Sequence, residues 1–300
     1  SYTVNVTPTG AGDITLDVNA AVATDDAGND NTAASQVSVT YDATAPTVAI
    51  TGAPSIISSN TPFGITVTFS EDVTDFIESE IVATNANVSA FAGTGDTYTA
   101  TITPTGGNIT IDVAADVAVD IADNGNTAAS QVAVTYDNVA PTVAITGAPS
   151  IVNSTAAFSI SVEFSESVSD FIVDDIGVTN ASLSGFAGSG DTYTVNVTPT
   201  GAGDITLDVN AAVATDDAGN DNTAASQVAV TYDATAPTVS ITGAPSIVNS
   251  TAAFSVSIEF SESVNDFIVD DIAVTNATLS SFAGGGDTYT VNVTPTGAGD

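Results

Sequence analysis

The chain has 300 residues, of which 36 are acidic and none is Lys, Arg or His, so its formal net charge at pH 7 is −36. It also contains no Cys, Met or Trp, which excludes disulfides, thiolate nucleophiles, imidazole bases and the usual structural zinc sites. Because phosphate groups are bound by basic side chains, we expect no binding to nucleic acid and no attraction to anionic membrane surfaces.

The apolar content is that of a folded protein. Hydrophobic residues make up 43% of the chain, which argues against disorder in spite of the high charge. No apolar run approaches the roughly 20 residues that a membrane-spanning helix needs. We therefore predict a folded chain with no membrane insertion within these 300 residues.

An internal repeat dominates the sequence. The segment Ala-Pro-Thr-Val-x-Ile-Thr-Gly-Ala-Pro-Ser occurs at 45–55, 140–150 and 236–246, and residues 1–42 match 192–233 at all but two positions. Repeats of this length are typical of tandem arrays of domains. We predict the rear part of one repeat at 1–42, whole repeats at 43–137 and 138–233, and the front part of another at 234–300.

Within each repeat, apolar and polar residues alternate, as in Phe158, Ile160, Val162 and Phe164, which places one face of a β-strand in a core and the other in water. Turn-rich Gly, Pro and Asp segments separate these runs. For residues 138–233 we predict strands A to G at 142–146, 157–164, 171–179, 182–187, 192–198, 204–210 and 226–232. About seven short strands in about 95 residues is the size of an immunoglobulin-like sandwich. The predicted fold is all-β, with tandem immunoglobulin-like seven-stranded β-sandwich domains arranged end to end.

An ordered series of motifs recurs in the chain: Phe-Ser-Glu-x-Val, Gly-Asp-Thr-Tyr-Thr, Asp-Ala-Gly-Asn and Thr-Tyr-Asp-x-x-Ala-Pro-Thr-Val. This series resembles the bacterial Ig-like tandem repeats of giant secreted surface proteins, such as repeat-toxin-type adhesins and biofilm-associated proteins. The resemblance covers the whole chain. It implies a sandwich fold, an extracellular location, arrays stiffened by calcium, and a role in adhesion or in a matrix.

The acidic residues fall mainly at one end of each predicted sandwich. If the strands alternate up and down, the BC, DE and FG loops lie at the end where the chain enters, beside the linker from the preceding repeat. Carboxylates crowded there repel one another by roughly 1–4 kcal/mol per close pair, and no basic side chain offsets this. Ca²⁺, which accepts six to eight oxygen ligands, is the natural solution. We predict calcium ligands among Asp42, Glu71, Asp72, Asp120, Asp123, Asp137, Glu166, Asp170, Asp216, Asp217, Asp233 and Glu262.

The sharpest form of this hypothesis is that Asp137 in the linker, Glu166 in the BC loop and Asp216 in the FG loop converge on one cation between repeats 43–137 and 138–233. The alternative is that these acids serve turns and surface, because Asp-Ala-Gly-Asn is also a good β-turn without metal. In residues 43–137, Ile121 and Gly125 stand where the next repeat has acids. We expect altered ligands or weaker binding in that repeat.

The predicted function is a non-enzymatic structural spacer or stalk of a long extracellular adhesin or filament at the cell surface. Paired acids such as Asp174 and Asp175 could suggest glycosidase chemistry, but neighbouring residues of a strand point to opposite faces. Two alternatives stay open: a self-assembling matrix fibre or surface-layer sheath held by lateral contacts, and a glycan-binding adhesive module. The expected partners are neighbouring repeats of the same chain and other copies in a fibre.

Overall fold

A computed structural model of the chain describes residues 1–201 and 203–297. Ala202 and the last three residues of the predicted segment 234–300 lie outside the described residues. Within the described ranges the regular structure consists of strands and three one-turn 3-10 helices, at Glu78–Glu80, Val173–Asp175 and Val269–Asp271.

The strands follow the repeat. The first 42 residues contain β1 (Gly12–Leu16) and β2 (Val37–Tyr41). The first whole repeat contains β3 (Val48–Thr51), β4 (Ile56–Ile57), β5 (Phe63–Val73), β6 (Ile81–Thr84), β7 (Ala86–Pro104), β8 (Ile109–Val113) and β9 (Val132–Tyr136). The second contains β10 (Val143–Thr146), β11 (Ile151–Val152), β12 (Phe158–Val168), β13 (Ile176–Thr179), β14 (Ala181–Pro199), β15 (Ile205–Val209) and β16 (Val228–Tyr232). The last segment contains β17 (Val239–Thr242), β18 (Phe254–Val264) and β19 (Ala277–Pro295).

Each whole repeat forms two sheets. In the second repeat the strand orders are β10-β12-β14 and β11-β16-β15-β13, and the first repeat has the same two orders. All of these pairings are antiparallel except those of β4 with β9 and β11 with β16, which are parallel. Seven strands in two sheets around one core confirm the predicted tandem immunoglobulin-like sandwich.

The core lies between the two sheets and comes from the alternating positions. Ile160 and Val162 of β12, Leu207 of β15 and Val230 of β16 are at most 1% exposed. Their β-branched and leucine side chains pack against one another from both sheets, and the polar residues between them face water. The two-residue period of the sequence therefore decides which face of each strand is buried.

Some strand boundaries differ from the predicted ones. Predicted strands D and E form one element, β14, in which the rings of Phe186 and Tyr193 stack with centroids 5.5 Å apart. Seven extended residues would span about 23 Å, so β14 folds back on itself between these rings. Gly188 lies at this reversal with φ of 134°, and a Cβ there would collide with the backbone of Thr192 and Tyr193.

Strand B was predicted too short, because its pattern is interrupted by a bulge. Glu163 pairs with Thr192 and Val168 pairs with Gly190, so β12 advances from 163 to 168 while β14 retreats only from 192 to 190. The extra residues bend the strand and re-aim its side chains. Predicted strand C is shorter than expected, because Val173–Asp175 forms a 3-10 helix before β13.

A buried asparagine organises the loop between β15 and β16, called here the FG loop (210–227). Asn222 is 2% exposed. Its Oδ1 accepts hydrogen bonds from the backbone N–H groups of Val213 and Ala214, and its Nδ2 donates to the backbone oxygens of Asn210 and Thr223. The amide oxygen of Asn222 thus accepts two hydrogen bonds and its amide nitrogen donates two, all with backbone groups. Asn126 makes the equivalent four hydrogen bonds in the first repeat.

We expect Asn222→Ala to lower the free energy of unfolding of repeat 138–233 by about 3 kcal/mol, because it leaves buried backbone groups without partners. Calorimetry of the whole chain should show one transition moved down by more than about 10 °C. Gln227→Ala removes an exposed hydrogen bond to Asp208 and should change stability by less than about 0.5 kcal/mol. Equal effects of the two substitutions would contradict a structural role for Asn222.

Candidate metal centre

Three carboxylates from three separate segments converge at the start of each whole repeat. Oxygens of Asp137, Glu166 and Asp216 all lie within 4.8 Å of one another. The equivalent oxygens of Asp42, Glu71 and Asp120 form the same arrangement one repeat earlier. We call these the second and the first junction cluster. The sequence prediction that a linker acid, an acid after strand B and an FG-loop acid meet is therefore supported by the geometry.

The FG loop holds Asp216 rigidly. Its Oδ1 accepts hydrogen bonds from the backbone N–H groups of Ala218 and Asn220, both at 2.8 Å, and its Oδ2 accepts one from Asn220 Nδ2 at 2.9 Å. The short side chain of Asp closes this turn on itself, as is usual for Asp in tight loops. Asp216 is only 6% exposed, so this carboxylate is both buried and fixed in direction.

Asp137 connects two repeats through its backbone. Its N–H donates to the oxygen of Ile57 in the preceding repeat at 2.9 Å. Its own carbonyl oxygen accepts a hydrogen bond of 2.9 Å from Asn220 in the FG loop of the following repeat. Its carboxylate also accepts from Val139 N–H at 3.0 Å, which fixes the first turn of the linker. A single linker residue is therefore bonded on both sides of the junction.

Glu166 reaches the cluster because of the bulge in β12. It lies between the two registered pairs at Glu163 and Val168, so it belongs to an irregular part of the strand and not, as predicted, to the BC loop. Glu71 occupies the same place in β5, between Thr68 and Val73. Both glutamates are half-buried. The bulge turns a side chain of the strand towards the linker and the FG loop.

The pKa values of the cluster glutamates and of the loop aspartates shift in opposite directions. Burial, followed by the negative charges of Asp137 and Asp216, raises the pKa of Glu166 above its ordinary value of 4.5. Burial, Asp42 and Asp120 raise the pKa of Glu71 in the same way. No basic residue exists to reverse this effect.

The loop aspartates shift the other way. Hydrogen bonds from Asn124, chiefly from its side chain, lower the pKa of Asp120 below its ordinary value of 3.8. Burial acts to raise the pKa of Asp216, but the hydrogen bonds from Asn220, Ala218 and Gly219 outweigh it and the net shift is downward. Hydrogen bonds therefore stabilise the ionised form of the loop aspartate, whereas burial and neighbouring charges disfavour ionisation of the glutamate beside it.

The ligand atoms fit a calcium ion. Two oxygens on opposite sides of one Ca²⁺ lie about 4.6–5.2 Å apart, because each Ca–O distance is about 2.3–2.6 Å. The three oxygens of each cluster lie no more than 4.8 Å from one another, so one ion of this size can contact all of them. Hard carboxylate oxygens are also the donors that Ca²⁺ prefers. Asp137, Glu166 and Asp216 would hold the ion in the second cluster, and Asp42, Glu71 and Asp120 in the first.

Four of the predicted ligands lie outside the clusters. Asp72 faces the reversal of β7, where a Cβ added to Gly95 would come within 2.8 Å of its Oδ1. Asp123, Asp170 and Asp217 are exposed residues of the loops and are not among the converging oxygens.

Asp233 and Glu262 occupy the positions of Asp137 and Glu166 one repeat later. The position equivalent to Asp216 falls beyond residue 300, so no third acid joins them within the described residues. Asp233 is nevertheless placed like Asp137, because its N–H donates to the oxygen of Val152 in the preceding repeat at 2.9 Å.

Sequence reasoning missed one compensating acid. The first repeat has Gly125 where the second has Asp221, and it has Asp116 where the second has Ala212. A Cβ on Gly125 would collide with the carboxylate of Asp116, so these two positions face each other across the loop. The acid is therefore at 116 in the first repeat and at the facing position, 221, in the second. The sequence signal for this compensation was the loss of an acid at position 125 together with the gain of one at position 116. The substitutions in this repeat leave the first junction cluster intact, and weaker binding there stays a prediction.

The comparisons with known proteins agree with this architecture. The sequence profile of a family described as "Bacterial Ig-like domain" matches residues 42–136, 137–232 and 233–300. No curated protein is matched by the sequence. Among the described residues, no helix has the length and apolar character needed to cross a membrane.

Three solved structures align with parts of this chain. Invasin, a bacterial integrin-binding protein, aligns at 14% identity and a TM-score of 0.32, over 85% of this chain and 55% of that one. Adhesin InvE of Yersinia pseudotuberculosis aligns at 18% identity and a TM-score of 0.24, over 62% of this chain and 58% of the other. The I9–I11 tandem of titin aligns at 13% identity and a TM-score of 0.23, over 84% and 88% respectively. The chain thus spans little more than half of either bacterial protein.

In the presence of chelator, we expect stability to rise as the pH falls from neutral towards 4.5. A raised folded-state pKa, as in Glu71 and Glu166, contributes stability that is complete below the ordinary value of 4.5 and is lost as the pH rises through the folded-state pKa. Below about 3.8 the trend should reverse, because the lowered pKa values of Asp120 and Asp216 make their contribution disappear as the pH falls further.

Thermal melting between pH 7 and pH 3 measures this dependence. The double variant Glu71→Gln and Glu166→Gln should lose the rise between neutral pH and 4.5 and keep the fall below 3.8. An unchanged profile in the double variant would show that the glutamates are not the groups responsible.

Proposed function

The chain belongs to the family of bacterial Ig-like domains, and we propose from this premise that it is the spacer of an extracellular surface adhesin or filament, stiffened by calcium at its repeat junctions. The observation that carries the proposal is the position of Asp137. This residue is hydrogen-bonded to both neighbouring repeats and is also one of the three converging carboxylates.

A cation in the second junction cluster would tie together the linker, the bulged strand and the FG loop. Rotation of one repeat against the next requires the linker to move relative to the FG loop. Asn220 already restrains that movement through one hydrogen bond to Asp137. A bound Ca²⁺ supplies a positive charge that neutralises the carboxylates and adds further restraints across the junction.

Periodicity extends this local effect to the whole array. The first and second junction clusters use equivalent residues one repeat apart, and Asp233 continues the series at the next linker. In a solenoid-like array each repeat contacts only its neighbours, so the stiffness of the junctions decides the stiffness of the chain. A spacer depends on length and stiffness, which identical junctions provide.

The chemistry of the clusters suits an extracellular setting. Calcium sites of extracellular modules bind with dissociation constants of about 10⁻⁴–10⁻³ M. A cluster with three carboxylates and half-buried glutamates, as here, is consistent with an affinity in that range. The complete lack of Lys and Arg also leaves no cleavage site for trypsin-like proteases, which favours survival outside a cell.

A non-enzymatic role is part of the proposal. Of the paired acids that resemble a glycosidase dyad, Asp175 accepts a hydrogen bond from the backbone of Ile172 at 2.8 Å and so serves the 3-10 helix. The aromatic rings that a sugar-binding module needs for stacking are packed on one another, as in Phe171 against Tyr193 at 5.0 Å. We likewise propose no binding to nucleic acid, because no basic side chain is available.

The test compares two acids of the second junction cluster with one acid outside it. Asp137→Ala and Asp216→Ala each remove a cluster carboxylate, whereas Asp217→Ala removes the same charge from an exposed position outside the cluster. Small-angle scattering of the whole chain should show a more extended, narrower distribution of shapes in millimolar calcium than in chelator. The two cluster variants should reduce that difference at one junction, and Asp217→Ala should retain it.

Calcium should also raise the melting temperature, because a ligand bound only by the folded state stabilises it by mass action, by about 2.7 kcal/mol at 100 times the dissociation constant. Chelator should cancel this increase. If neither shape nor melting responds to calcium, the carboxylates are a solvated surface and the stiffening proposal fails.

A further inference from the structure

The sequence contains a single Asn-Gly dipeptide, Asn124-Gly125, which lies in the FG loop of the first repeat, between β8 and β9. The second repeat has Asn220-Asp221 at the equivalent place. An asparagine side chain loses its amide group most readily when glycine follows, because glycine leaves its own backbone nitrogen unshielded and gives the chain the freedom to close a ring. A following aspartate opposes this reaction through its β-carbon and its negative charge. The first repeat therefore contains a labile asparagine whose counterpart in the second repeat is protected.

The packing of the loop requires glycine at position 125. A Cβ there would collide with the carboxylate of Asp116. The second repeat has Ala212 opposite Asp221, so it avoids this collision. While the loop acid stands at position 116, residue 125 must be glycine, and Asn124 keeps its labile neighbour.

The backbone nitrogen of Gly125 is free of the hydrogen bonds that close this part of the loop. Gly125 faces Val119 in an isolated antiparallel bridge. The two hydrogen bonds of the bridge belong to the flanking residues: the oxygen of Asn124 accepts one of 3.1 Å, and the N–H of Asn126 donates the other, of 2.9 Å. The nitrogen that would attack the asparagine side chain takes part in neither bond.

The amide group of Asn124 is also the donor that connects the FG loop to the linker. Its Nδ2 donates to Asp120 Oδ2 at 2.8 Å and to the backbone oxygen of Asp42 at 3.3 Å. Asp42 and Asp120 both belong to the first junction cluster. A reaction that removes this nitrogen therefore acts directly on the junction.

We propose that Asn124 is a site of spontaneous deamidation that weakens the first junction and spares the second. The backbone nitrogen of Gly125 attacks Cγ of Asn124, which forms a five-membered succinimide ring. The side-chain nitrogen leaves as ammonia and takes the proton that the backbone nitrogen gives up. Water then opens the ring at one of its two carbonyl carbons and leaves aspartate or isoaspartate at position 124. Water is the only co-reactant.

The folded loop restrains Asn124 and Asn220 in the same way. Asn220 Nδ2 also donates to an aspartate carboxylate and to a linker carbonyl oxygen, both at 2.9 Å. Ring closure must break such bonds, so in both repeats it takes place in molecules whose loop has opened locally. Because the restraint is shared, the residue that follows the asparagine decides the difference in rate.

Deamidation exchanges a hydrogen-bond donor for a negative charge. The new carboxylate can no longer donate to Asp42, and it faces the carboxylate of Asp120 where it had been bonded to it. A fourth acid thus joins Asp42, Glu71 and Asp120, and the chain has no basic side chain to offset it. Like charges at this distance repel. This inference goes beyond the proposed calcium function and does not depend on it, because the lost contacts are hydrogen bonds of the protein itself.

The whole chain, incubated in mildly alkaline buffer, provides the test of the reaction. A protease that cuts after aromatic residues places Asn124 and Asn220 in different peptides, and fragment masses locate the amide-to-acid exchange. We expect Asn124 to react at least about tenfold faster than Asn220, because glycine follows it. Methylation by an isoaspartate-specific methyltransferase should label the peptide that contains residue 124. Equal rates at the two asparagines would overturn the proposal.

A double variant supplies the matched control for the chemistry. Asp116→Ala with Gly125→Asp gives the first loop the residue pair of the second while retaining Asn124. Its rate of deamidation at position 124 should fall to that of Asn220. A rate that stays as high as in the unmodified chain would show that Gly125 is not the cause.

The consequence for the junction is measured separately by calorimetry. Asn124→Asp reproduces the aspartate product and should lower the melting temperature of repeat 43–137 by several degrees, as should incubation of the unmodified chain. Asn220→Asp should instead lower that of repeat 138–233. If incubation converts Asn124 but neither the incubated chain nor Asn124→Asp melts earlier, the proposed weakening of the junction is wrong.

Discussion

Carboxylates without basic partners are the constraint on which the junctions depend. A protein with Lys or Arg can neutralise a crowded acid internally, but this chain has 36 acids and no base. Where three carboxylates meet, their repulsion is relieved by protonation, by solvent, or by a cation. Burial and the neighbouring negative charges raise the pKa of Glu166, whereas hydrogen bonds within the FG loop outweigh burial and lower the pKa of Asp216. The clusters therefore bring together charges that the chain by itself cannot balance.

Three common structural features bring the carboxylates of each cluster together. A bulge in β12 turns Glu166 out of the regular ladder. An Asx-type turn fixes Asp216 through hydrogen bonds from its own loop, and Asn220 connects that turn to the linker. Beneath them Asn222 anchors the FG loop to the backbone. Together they place charged groups at the boundary between repeats.

The sequence by itself determined the fold class, the repeat and a set of candidate acids that includes all six converging ones. Strict two-residue alternation fixes which side chains are buried, and a period of 95 to 96 residues, as between Pro46, Pro141 and Pro237, fixes the tandem order. It could not determine the bulge in β12 or the fold-back within β14, because these depend on the pairing of residues that are distant in sequence. The tertiary structure decides which acids meet. Asp216 and Asp217 are adjacent in the chain, yet only Asp216 is held by the turn and lies in the cluster. The local sequence pattern therefore identifies the candidate acids, and the pairing of strands distant in sequence determines their positions in space.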